Sequence, residues 1–161
     1  MKVLLTGSSK GIGHKIAEDL LAEGHELALH YNKNESPLKA LLKKDKTGSF
    51  SIQADLSQQD EIKKMVINTI DKLSFPDCII NNAGIAESAD ISIDINNWSK
   101  MFDRTIDINL KAPSIIFKEF LKYKREKKIN SRLRIINIAS RAAFRGEQQD
   151  YISYACSKGG I

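Results

Sequence analysis

The sequence predicts an α/β fold, a doubly wound parallel sheet with its strands in the order 3-2-1-4-5. Three observations predict it. Short apolar strands alternate with amphipathic helices along the chain. The first strand runs directly into a glycine-rich turn that opens a helix. The 161 residues suit one domain, 1–161, with a core of its own.

Lys2 to Leu5 reads as a buried strand. Gly11 to Ala22 carries Ile12, Ile16, Leu20 and Leu21 at helical spacing, and Glu23-Gly24 stops it. Glu26 to Tyr31 is a second strand. Ser36-Pro37 opens the next helix, with Ser36 as its cap. Phe50 to Ala54 follows as strand three, and Ser57 caps a helix striped by Ile62, Met65, Val66 and Ile70. Asp77 to Ile80 and Leu133 to Ile138 are strands four and five. Between them the longest helical pattern runs from about Asn97 to Lys128.

Composition excludes several classes. At 42% hydrophobic and 28% charged, the chain is neither collagen-like, disordered nor disulfide-stapled. Its formal charge is +5, but much of the surplus lies in Lys122 to Lys128, near the end of the longest helix. Cations suit that negative terminus, so no nucleic-acid partner is expected. Cys78 and Cys156 lack metal-ligand spacing and are expected to be reduced and semi-buried. No apolar stretch reaches the 18 or so residues of a membrane span, so a soluble, cytoplasmic protein without a membrane partner is expected.

Thr6-Gly7-Ser8-Ser9-Lys10-Gly11-Ile12-Gly13 joins strand one to helix one. Glycines allow a tight turn there, and the helix N-terminus presents free N–H groups to a phosphate. In a βαβ unit this is the dinucleotide loop of a Rossmann-type sheet. An NAD site usually carries an acid at the end of strand two, to bind the ribose 2′-hydroxyl. Here that end reads His30-Tyr31-Asn32-Lys33-Asn34, with no acid before Glu35. Lys10 adds a cation to the loop. A 2′-phosphate suits this setting, so NADP(H) is predicted over NAD(H).

Tyr154 and Lys158 stand at i and i+4, on one helix face. A nearby cation favours the phenolate, which fits Tyr154 as general acid or base for a carbonyl/alcohol pair. Tyr151 has no such partner. Ser140 closes strand five at the carboxyl edge, where open α/β sheets bind ligands. Asn109 interrupts an apolar stripe of Trp98, Phe102, Ile106, Pro113, Ile116 and Phe120, and so needs a hydrogen-bond partner. Pro113 lacks the N–H that would bond the Asn109 carbonyl, so a kink is expected. The freed carbonyl could hold a water, ending a proton path from Tyr154 through ribose and Lys158.

Together these motifs resemble the short-chain dehydrogenase/reductase family in its classical form. The matches are Thr6-Gly7-x-x-x-Gly11-x-Gly13, Asp55-Leu56, Asn81-Asn82-Ala83-Gly84, Asn109-Leu110, Ser140 and Tyr154-x-x-Ser157-Lys158. The resemblance implies a catalytic tetrad of Asn109, Ser140, Tyr154 and Lys158. It also implies a cofactor site of Gly7, Ser9, Lys10, Gly11, Ile12, Gly13, Tyr31, Asn32, Lys33, Asp55, Leu56, Asn82, Ala83, Gly84, Tyr154 and Lys158. Asp55 would contact adenine, Asn82 to Gly84 would line the cofactor and steady the sheet, and Lys158 would bind the nicotinamide ribose. The general likeness is to 3-oxoacyl-carrier-protein reductases.

The expected function is hydride transfer between NADP(H) and a ketone or secondary alcohol, a small-molecule substrate such as a 3-oxoacyl thioester. The alternative is a truncated, inactive nucleotide-binding remnant. Ser140 to Tyr154 is one residue longer than in many relatives, and Arg141 to Ile152 should absorb the extra residue as a loop. Relatives continue beyond the helix of Lys158, so the chain is expected to be a fragment whose C-terminal substrate-binding part and later strands are missing. Strand five is then an exposed edge, and the full-length form a homo-oligomer, dimer or tetramer.

Overall fold

Five strands form one parallel sheet in the order β3-β2-β1-β4-β5, in a computed structural model that describes residues 1–161. The strands are β1 (Lys2–Leu5), β2 (Glu26–Tyr31), β3 (Phe50–Gln53), β4 (Cys78–Asn81) and β5 (Arg134–Asn137). Seven helices connect or follow them: α1 (Gly11–Ala22), α2 (Ser36–Leu42), α3 (Gln59–Leu73), α4 (Ile95–Ile106), α5 (Ala112–Glu126), α6 (Ala142–Arg145) and α7 (Ile152–Gly160). The expected strand order and helix alternation are both present.

Strand periodicity of two divides the core. Leu4, Ala28 and Ile79 point to one face and join Ile62, Met65, Ile116 and Phe120 from α3 and α5. Val3, Leu5, Leu27, Leu29, Cys78 and Ile80 point to the other and meet Ala17 of α1 and Leu38 of α2. Both faces of the central strands are therefore covered, which explains their continuous apolar runs. β3 and β5 are the two edges of the sheet, and on β5 Arg134, Ile136 and Asn137 are exposed.

Local chemistry shifts several boundaries. Ser36 is the first residue of α2 and not its cap; Glu35 precedes it, and Asn34 Oδ1 accepts the Ser36 N–H. Ser57 does not cap α3 either. Its N–H and hydroxyl both turn back to Asp55 Oδ1, at 2.9 and 2.8 Å, and the helix begins two residues later. Asp94 caps α4 instead: its Oδ1 accepts from the Asn96 and Asn97 N–H groups, starting the helix at Ile95. Cys78 is buried but Cys156 is exposed, correcting the expectation that both are semi-buried.

The single long helix expected over 97–128 is three pieces. Between α4 and α5 lies a π-helical turn, Asp107–Lys111, in which Ala112 N–H bonds back five residues to Asp107 O. The missing amide of Pro113 forbids the regular ladder here, and the helix widens by one residue. The segment after Ser140 is also more ordered than a plain loop: α6 and a 3₁₀ turn, Gln149–Tyr151, occupy it. No helix is long and apolar enough to cross a membrane.

Candidate active site

A cleft of about 550 Å³ opens over the carboxyl ends of β1, β2 and β4. The glycine loop forms its floor: Gly7, Ser9, Lys10, Gly11, Ile12 and Gly13 all line it. Lys10, the residue before α1, makes no side-chain cap, and the first turn holds no acid. The N-terminal amides of α1 are thus left for a ligand. Gly13 must be glycine, because a Cβ there would sit under 3.0 Å from the Gly7 carbonyl oxygen and Asn82 Nδ2.

Thr6 and Asn82 stitch this loop to β4. Thr6 Oγ1 accepts the N–H groups of Asn82 and Ala83, at 3.0 and 3.1 Å. Asn82 Nδ2 donates to the carbonyls of Thr6 and Gly7, at 3.0 and 3.1 Å. Asn82, Ala83 and Gly84 all line the cleft, and Asn82 and Ala83 also brace it through these bonds.

Asn32, Lys33 and Asn34 form the wall beyond β2, and no carboxylate lines the cleft. Glu35, the nearest acid in sequence, is turned away. It pairs with Lys39 at 2.7 Å and accepts from Ser51 Oγ at 2.6 Å. The Lys39 ammonium, then the Ser51 hydroxyl, hold its carboxyl below the usual range. Leu56 lines the cleft, but Asp55 and Tyr31 are not among its walls. The Ser57 amide and hydroxyl fix Asp55 as an anion, with Arg104 and Lys33 adding to the effect.

Arg104 is a wall residue that sequence reading missed, along with His30, Asn34, Ile85 and Ile108. It comes from α4, one helical turn before Ile108, and pairs with Glu87. The i, i+4 relation of Arg104 and Ile108 was the available signal. The cleft thereby holds three cationic side chains, Lys10, Lys33 and Arg104.

None of the four residues expected as a tetrad lines this cleft; Asn109 and Lys158 meet beside Gly84, and Tyr154 lies next to Lys158. The π turn carries Asn109, whose side chain is 2% exposed and fully partnered. Its Nδ2 donates to Ile85 O at 2.8 Å and Ser157 Oγ at 3.0 Å, and its Oδ1 accepts from Ile85 N–H at 2.8 Å. Gly84 lies between Asn109 and Lys158: a Cβ built on it meets Asn109 Oδ1 at 3.3 Å and Lys158 Nζ at 3.7 Å.

Lys158 and Tyr154 share a face of α7, with Nζ 5.9 Å from the phenol ring centroid. The ammonium donates to Ile138 O at 2.7 Å, tying α7 to the end of β5. Burial pushes its pKa below 10.5. Ser157 Oγ donates to Tyr154 O at 2.8 Å. Ser140 Oγ accepts the Ala142 N–H at 3.2 Å, and no hydrogen bond joins it to Tyr154. Its proton is left free to donate.

The chain resembles known proteins over most of its length. It is 33% identical over 112 residues to the 3-oxoacyl-(acyl-carrier-protein) reductase FabG of Staphylococcus epidermidis, covering 68% of this chain and 45% of that protein. It is 28% identical over 162 residues to the 3-oxoacyl-(acyl-carrier-protein) reductase of Synechocystis, covering 98% of this chain and 62% of that one. The chain thus spans about half the length of these curated relatives.

Among solved structures, a metagenomic short-chain oxidoreductase in complex with NADP superposes with a TM-score of 0.80 at 27% identity, over 99% of this chain and 71% of that one. A blue fluorescent protein from a metagenomic library, in complex with NADPH, gives 0.81 at 27% identity, over 98% and 63%. The family model described as short chain dehydrogenase matches residues 1–161, and the chain belongs to that family.

Proposed function

We propose that this chain carries the NADP(H) site and the proton-transfer residues of an oxidoreductase acting between a ketone and a secondary alcohol. The observation that carries the reading is the cleft itself: an uncapped helix N-terminus, three cations and no carboxylate. That chemistry suits a pyrophosphate plus a 2′-phosphate better than a bare ribose diol. Two structural neighbours described as complexes with NADP or NADPH support the same cofactor.

In this reading the α1 amides hold the pyrophosphate, and Asn32, Lys33 and Lys10 receive the 2′-phosphate. Ile12, two-thirds exposed in the cleft, and Leu56 supply apolar contact. When bound, a nicotinamide dinucleotide would supply or accept the hydride. Ser140 would hydrogen-bond the substrate oxygen through its free hydroxyl, and Tyr154 Oη would pass its own proton to that oxygen in reduction and take one from it in oxidation. Lys158 stabilises the phenolate side of that exchange and orients the ribose. Asn109 positions Ile85 and α7, and the relay runs from Tyr154 through Lys158 toward the π turn. The likeness to 3-oxoacyl reductases favours a 3-oxoacyl thioester as substrate class, in a homo-oligomer.

The test measures affinity for NADP+ and NAD+ by calorimetry, then turnover on 3-oxoacyl thioesters and simple ketones. Tighter NADP+ binding and reduction of a thioester are expected. Tighter NAD+ binding refutes the cofactor assignment, and dinucleotide binding without turnover on any substrate leaves a nucleotide-binding module.

A further inference from the structure

His30, the penultimate residue of β2, lies beneath the glycine loop and is 2% exposed. The Gly7 N–H donates to Nδ1 at 3.0 Å. A backbone amide can only donate, so Nδ1 carries a lone pair and the ring hydrogen sits on Nε2. Nε2–H then donates to Ala54 O at 2.9 Å, just beyond β3. The His30 carbonyl adds two further ties, accepting from Ser8 N–H at 2.9 Å and Ser8 Oγ at 2.8 Å. One residue therefore secures both Gly7 and Ser8 from the β2 side, opposite the grip of Asn82. Gly7 has φ +68°, so His30 clamps the residue at which the loop turns.

We infer that His30, neutral and in its Nε2–H form, is a positioning residue that holds the phosphate loop in its binding shape, and that protonating it loosens the loop. A protonated ring has N–H at both nitrogens. Nδ1–H would face the Gly7 N–H, replacing a hydrogen bond with two opposed donors and a buried charge. Burial already holds the imidazole pKa below 6.5, while the Ala54 carbonyl and Asp55 draw it the other way. Lys10 from the loop, Lys33 beyond β2 and Arg104 from α4 bring like charge to the same cleft and oppose a proton there.

The inference rests on the nucleotide reading for its binding readout only. Dissociation constants for NADP+ and NAD+ are measured from pH 7.5 to 5.5 in the wild type and in His30→Asn, whose amide oxygen can still accept from Gly7. The lowered imidazole pKa confines the effect to the acid end of this range: in the wild type both constants rise together by about threefold by pH 5.5, in His30→Asn the rise stays below about 1.5-fold, and the absence of a rise in the wild type overturns the inference. NAD+ is included because it lacks the 2′-phosphate, which titrates in this range. A rise confined to NADP+, or an equal rise in His30→Asn, overturns the inference. Nitrogen NMR of the wild-type ring supplies a second readout that needs no variant: hydrogen on Nε2 is expected, and hydrogen on Nδ1 overturns it. If neither dinucleotide binds, the nucleotide reading fails separately. The ring shifts and the pH at which the Gly7 amide resonance moves still decide the role of His30.

Discussion

Asn109 hydrogen-bonds both backbone groups of Ile85, donating to its carbonyl and accepting from its N–H, each at 2.8 Å. The amide thus pairs as a neighbouring strand would, in a segment after β4 that has no strand partner. Its third bond, to Ser157, carries this link into α7. The π turn makes the arrangement possible by setting Asn109 within an otherwise apolar packing surface.

Asn109→Ala leaves the Ile85 amide and carbonyl and the Ser157 hydroxyl short of partners. A loss of about 2–4 kcal/mol is expected, read by urea denaturation. A change below about 0.5 kcal/mol would show that water replaces the amide without penalty.

Gly13→Ala and Gly11→Ala separate space from backbone strain. A methyl at Gly13 meets the Gly7 carbonyl and Asn82, which have little room to move, so about 3 kcal/mol is expected. Gly11 has φ +57° but open space around its Cβ position, so about 1 kcal/mol is expected. Equal losses in chemical denaturation would contradict the crowding at Gly13.

Tyr154→Phe removes the proposed proton donor and keeps the ring over which Lys158 sits. Turnover should fall by about 10²–10⁴-fold while NADP+ affinity changes less than about threefold. Retention of more than a tenth of the activity would move the proton transfer to another group.

Lys158 carries a stability signature as well. Its folded-state pKa lies below the ordinary 10.5 because the ammonium is buried. Between the folded value and 10.5 the unfolded chain binds more protons, so stability rises with pH through that window. At pH 7.5, where both states are charged, burial of the ammonium costs stability relative to the neutral amine. Lys158→Met should be more stable there, lack that rise towards pH 10, and lose turnover. Lower stability with an unchanged pH slope would show that the bond to Ile138 outweighs desolvation.

The features legible in the amino-acid sequence are local or periodic. Alternating apolar segments specify strands and helices, because each must bury one face. The glycine loop specifies its own turn, and Pro113 specifies a break in the helix. The positions of Tyr154 and Lys158 follow from helical repeat alone. Tertiary structure decided the pairings made across the sheet and between distant helices. Asn109 meets Ile85 across 24 positions and Ser157 across 48, and Gly7 meets His30 across 23. No local pattern marks such partners, since a buried polar group takes whichever complementary group the packing brings to it. The same holds for charge. Glu35 lies four residues beyond Tyr31, yet Lys39 and Ser51 draw it out of the cleft, while Arg104 enters from α4. Which charges face the cofactor site is a property of side-chain direction in three dimensions.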